Sequence, residues 1–161
     1  MKKILVIAVM LLSAIGAFAQ DGKSIYQKYS DEKDVSAVYI SPAMFRLIGK
    51  IPDLEVKDED INLGPIIKSL SGLYIINSES ATVNASLKGE VDRLVKAGRY
   101  EMLMEAKDSG ETVRMYTLGT ETVVNSFVML SVDDDEVSFI CLDGKMNRDD
   151  LEKILAEKMA D

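Results

Sequence analysis

The hydrophobic period of the chain changes at Gly98, and that change limits the folds open to it. Before it, Val83, Leu87, Val91, Leu94 and Val95 are spaced by four, four, three and one residues, a single face at helical period. Ser80 is a good N-cap and Gly98 a good C-cap, so the spacing predicts a long helix over residues 80–98. Gly89 inside it costs about 1 kcal/mol relative to alanine. After it, YEMLMEA alternates, with Tyr100, Met102 and Met104 on one face and Glu101 and Glu105 on the other. Asp108, Ser109, Gly110 and Glu111 read as a tight turn, and TVRMYTL alternates again. A second hairpin, TVVNSFVMLSV with EVSFICLDG, turns around Asp133, Asp134 and Asp135. Its less alternating apolar runs place it nearer the centre of a sheet.

The remaining segments fill in the order. Residues 24–29 read as a short helix or ordered arm, and VSAVYIS as a strand. Pro42 suits a first helical turn, with Met44, Leu47, Ile48 and Ile51 as its apolar stripe and Pro52 as its end. Residues 53–62 are acidic and read as a loop. A short helix with Ile66, Ile67 and Leu70 on one side follows, stopped by Gly72, and Leu73, Tyr74, Ile75 and Ile76 begin a buried strand. At the end, Asn147 caps a helix whose first turn holds Asp149 and Asp150 and whose buried stripe is Leu151, Ile154, Leu155 and Met159. Hairpin-linked strands with helices before and after them predict an α+β fold, a largely antiparallel sheet of about six strands with helices packed on one face.

Residues 1–20 stand apart. Lys2 and Lys3, an apolar run over residues 4–12, and Ala17, Phe18 and Ala19 follow the three-part layout of a secretory signal peptide. The run is short for a membrane span. Cleavage after Ala19 would leave residues 20–161 as a single α+β domain, periplasmic or extracellular. The chain carries 19 basic and 27 acidic residues, a net charge of −8, and the leader removes lysines but no acid. Such a chain repels phosphate backbones, so nucleic acid is excluded as a natural partner. Its single cysteine, Cys141, forms no internal disulfide and reads as a buried small hydrophobe. Histidine is absent, which rules out a Ser-His-Asp triad, a Cys-His pair and a histidine-ligated zinc.

GRYEMLMEAKDSGETVRMY, followed by two strands that close on LDGKMNRDDLEKIL, resembles the small exported bacterial proteins grouped as domain of unknown function 4252. The positions that carry the resemblance are Gly98, Tyr100, Glu101, Leu103 and Met104, then Val113 and Tyr116, then Leu142 and Gly144. It covers most of the chain after the leader. It implies an envelope protein, more loosely a link to envelope stress or sigma-factor systems, and it carries no catalytic residue.

Three patterns invite a metal. KDEDINLG places Asp58, Asp60 and Asn62 like the first ligands of a calcium loop. The turn position then holds Leu63, with Gly64 and Pro65 after it, and the bidentate position holds Ser69 in place of glutamate, so an EF-hand fails. Asp133, Asp134, Asp135 and Glu136 crowd a hairpin tip, which reads as a solvated turn. Met44, Met102, Met104, Met115, Met129, Met146 and Met159 suggest a thioether copper site, but with Met102 and Met104 on one strand face beneath helices they read as core filler. No catalytic, cofactor-binding or metal residue is therefore assigned, and no cofactor. The expectation is a non-enzymatic exported domain that binds another envelope protein through a sheet face or edge. The alternatives are a small-molecule or calcium-binding carrier, or a carboxylate-based enzyme with a pocket between sheet and helices.

Overall fold

The computed structural model of the chain describes residues 21–49 and 64–160, and side chains among them up to residue 156. Asp21 accepts the Ser24 N–H at 2.8 Å and caps α1 (Gly22–Tyr29). β1 (Val35–Ile40) leads to Ser41, whose hydroxyl caps α2 (Pro42–Ile48) with Pro42 in the first turn. α3 (Gly64–Ser69) runs directly into β2 (Leu70–Ser78). α4 (Ala81–Ala97) begins at the Ser80 cap and ends where the Gly98 N–H donates to the Leu94 carbonyl at 2.9 Å. A Cβ at Gly98 would lie 2.6 Å from the Tyr100 ring, so the turn out of α4 needs glycine. β3 (Glu101–Asp108), β4 (Glu111–Gly119), β5 (Val123–Val132) and β6 (Val137–Asn147) follow as hairpins. α5 (Arg148–Ala160) closes, with Asn147 accepting the Asp150 N–H at 3.2 Å.

The strands form one antiparallel sheet in the order β1-β2-β6-β5-β4-β3. The order follows from the connections. α4 carries the chain from β2 across a face of the sheet to the far edge. Three tight turns then bring β6 back beside β2, where its apolar run is covered on both sides.

Alternation sorts the core into two clusters. Val128, Leu130, Phe139 and Cys141 point toward α1 and α4 and pack with Ile25, Leu87, Val91 and Leu94. Phe127, Val124 and Met146 belong to the opposite cluster, with Ile66 of α3 and Leu151 of α5. The five apolar residues that predicted the long helix are all buried. Leu87 and Val91 are fully so, and trimming Leu87 to alanine should cost about 2–5 kcal/mol. The sequence predicts helices on one face; α1 and α4 cover one side of the sheet, and α3 and α5 lie over a smaller cluster on the other, because both faces of the central strands are apolar.

Three local expectations change. The stripe of α2 is rotated: Phe45 is the buried residue, while Met44 and Leu47 are exposed, and Ile51 lies outside the described residues. Gly72 does not stop α3, which ends where the Ser69 hydroxyl donates to the Ile66 carbonyl at 2.7 Å. It lies inside β2 at a register shift, where a Cβ would meet the Tyr74 hydroxyl at 2.8 Å. Met102 and Met104 do not share a face. A bulge between them sets Met102 opposite Tyr116 and Met104 opposite Met115, residues of the two different clusters.

Candidate interaction edge

β1 pairs with β2 in one unbroken register from Val35 opposite Ser78 to Ile40 opposite Leu73. Among the described residues nothing pairs with its outer side. The Glu79 N–H donates to the Asp34 carbonyl at 3.1 Å, one step beyond that register. This fixes the parity of the strand, because in an antiparallel pair each residue turns both main-chain groups to the same neighbour. Ser36, Val38 and Ile40 therefore spend theirs on β2, and Val35, Ala37 and Tyr39 turn theirs outward.

The side chains at this edge are uncharged and, Ser36 apart, apolar. Val38 and Tyr39 are each 44% exposed, and Met44 and Leu47 on α2 are 47% and 61% exposed. Of the exposed large hydrophobics among the described residues, only Met102 falls outside this short stretch. The Tyr39 ring is stacked on Tyr74 at 5.2 Å, and Tyr26 leans on both at 5.9 and 5.8 Å, which holds an aromatic step at the rim. α2 packs back over β2.

The opposite edge is built differently. β3 carries Glu101, Glu105, Lys107 and Asp108 and the Met102/Met104 bulge. Glu105 accepts from Arg114 Nε at 2.7 Å and pairs with Lys107 at 2.9 Å, which holds its carboxyl below the usual range. Charge and a bulge are what blunt an edge against pairing, and β1 has neither.

A buried polar chain lies on the α1 side of the sheet. The Tyr100 hydroxyl donates to Ser126 at 3.0 Å, Ser126 Oγ lies 3.6 Å from the Cys141 thiol, and that thiol donates to Asp143 at 3.5 Å. Gly22 presses on it: a Cβ there would stand 2.3 Å from Cys141 Sγ, so the start of α1 caps the thiol. Burial raises the Cys141 thiol and the Asp143 carboxyl, and pushes the Tyr74 and Tyr100 phenols up to about 12. The centre favours neutral groups and holds no thiolate nucleophile. Sequence reasoning did not find Tyr100, Ser126 and Asp143 as a group, because two strands and the turn after α4 contribute to it. The one available signal was Asp143 inside an apolar strand run.

The residues weighed and set aside as metal ligands in the sequence are not brought together. Asp58, Asp60 and Asn62 lie outside the described residues. Asp133, Asp134, Asp135 and Glu136 form the exposed β5–β6 tip, where the Asp133 N–H donates to the Glu136 carbonyl at 2.9 Å. Among the described residues no group of three or more carboxylate or thiol side chains is placed to hold a metal ion. Met115, Met129 and Met146 pack in the second cluster, whereas Met44 and Met102 are exposed. An open hollow of about 480 Å³ is lined by Glu101, Thr120, Glu121 and Arg148, and another of about 270 Å³ by Asp34, Asn77, Glu79 and Glu136. Arg148 in the first is already engaged, with Nε donating to the Thr120 carbonyl at 3.0 Å. Asp143 lines neither hollow.

These features define an α+β domain with one six-stranded antiparallel sheet and, among the described residues, an uncharged outer edge at β1. The chain belongs to the family described as domain of unknown function DUF4252, whose profile matches residues 29–154. No curated protein and no solved structure matches it. The matched span runs from the end of α1 into α5, so it includes the whole sheet and the β1 edge. Among the described residues no helix is long and apolar enough to cross a membrane.

Proposed function

We propose that the chain is a non-enzymatic binding domain of the bacterial cell envelope that takes an extended protein segment onto β1. The observation that carries this is the β1 edge, where an uncharged, unbulged strand points main-chain groups outward beside exposed Val38 and Tyr39. Strand addition uses those two elements: main-chain hydrogen bonds for affinity, and alternate side chains for selection. The leader over residues 1–19 supports export, and the acidic surface suits a soluble envelope protein that avoids anionic lipid.

A photocrosslinking residue at Tyr39, with the same residue at Glu105 on the β3 edge as reference, tests the reading in intact envelopes. Defined protein adducts at Tyr39 and none at Glu105 are expected. Equal labelling at both edges, or none at Tyr39, would sink it.

A further inference from the structure

We infer that the segment added to β1 is β1 of a second copy of this chain, so that two sheets join edge to edge about a two-fold axis at Ala37. The inference rests on the strand-addition reading above and names its partner. A two-fold axis normal to the sheet makes the two β1 strands antiparallel and continues each face into the same face of the other copy. The hydrogen bonds then choose the register. Only Val35, Ala37 and Tyr39 have outward N–H and C=O groups, by the parity that the Glu79–Asp34 bond sets. With the axis at Ala37, Ala37 meets Ala37 of the second copy, and Val35 meets Tyr39 of the second copy. Every outward group on both strands then finds a partner. A shift of the centre to Val38 leaves Val35 beyond the paired strand, opposite Ser41 at the start of α2. A shift by one residue in a single strand puts the two faces out of step.

The side chains agree with this register. At the axis stands alanine, which lets the strands close. Tyr39, held by its stack on Tyr74, comes down beside the smaller Val35, and Val38 beside the smaller Ser36. No charged side chain of β1 enters the joint. A six-residue strand pair is small beside the roughly 1,200–2,000 Å² of a stable interface. The joint is therefore a weak, concentration-dependent one. The β3 edge, with its charges and bulge, is shut to the same joint, so the pairing ends at two copies and does not run on into a fibre.

Sedimentation equilibrium on residues 20–161 should give a monomer–dimer equilibrium with no larger species. Raising the salt should favour the dimer, because it screens the repulsion between two acidic chains. Ala37→Cys should cross-link to itself on mild oxidation, since facing Cα atoms about 5.5 Å apart are within disulfide reach. Tyr39→Cys should not, because the two copies of that residue are about 13 Å apart along the strands. Ala37→Pro removes the central outward N–H without touching the β2 ladder, and should weaken the dimer about tenfold or more. A chain that stays monomeric at the highest concentration reached overturns the inference. So does a dimer in which Ala37→Cys fails to cross-link. If such a monomer still gives Tyr39 adducts with another envelope protein, the strand-addition reading stands and only the second copy is excluded. If Tyr39 gives no adduct of any mass, both fall together.

Discussion

At Asp143 a carboxyl sits inside a strand among the Cys141 thiol, the Ser126 hydroxyl and the Asp21 carboxyl. Burial favours its neutral form, and hydrogen bonds from Ser126 and Cys141 reverse only part of that. The direction sets the pH dependence. A carboxyl whose folded pKa is raised contributes stability below its unfolded pKa, and that contribution is lost as pH rises through the folded value. Asp143→Asn should therefore raise the melting midpoint at pH 7 and leave it nearly unchanged at pH 3, read by thermal melts at both. A midpoint lowered at pH 7 would show that the ionised carboxylate is wanted. Cys141 beside it is fully buried with its thiol pushed up, so a thiol reagent should label it only at the rate of unfolding. Fast labelling of the native chain would mean that Gly22 does not cover the sulfur. The burial of Cys141 was legible from its apolar run. The polar company it keeps was not, since Tyr100 and Ser126 reach it only through strand pairing.

Helix α4 shows how an element is read well. Its caps, its face and its length all came from spacing, because one helix carries its own period regardless of what it packs on. Gly89 within it has nothing within 4 Å of a built Cβ, so alanine fits without strain. Gly89→Ala should stabilise the chain by about 0.4–1 kcal/mol, through helix propensity and a less flexible unfolded chain. Chemical denaturation measures it, and a loss of stability would mean that the open space is needed by something that docks there. Helix α2 shows the opposite case. Seven residues complete too few turns for spacing to choose a face, so Phe45 displaced the expected stripe of Met44 and Leu47. Likewise the Met102/Met104 bulge is invisible in an alternating string, because an extra residue in one strand shows only against its partner. The first misreading hid the exposed Met44 and Leu47, and the second hid the bulge that blunts the β3 edge.

For the whole molecule, the strand order decides where stability concentrates. β6 is paired along its length with both β2 and β5, and α4 covers it. Among the described residues, β1 and β3 are each paired on one side. Local opening follows the number of neighbours a strand must leave, so amide exchange should be slowest in β6, β5 and the inner turns of α4. Within β1 the same experiment has finer grain. At low concentration the amides of Ser36, Val38 and Ile40, bonded to β2, should exchange slowly, and those of Val35, Ala37 and Tyr39 should exchange nearly as fast as free peptide. Raising the concentration should slow the second set and leave the first alone, because only the outward amides gain partners when two copies join. Alternation that persists at every concentration would leave β1 an open edge. Uniform protection at the lowest concentration would mean that the chain's own residues already cover it. The total chain charge of −8 adds a condition, since repulsion between copies places the change at lower concentration when salt is high.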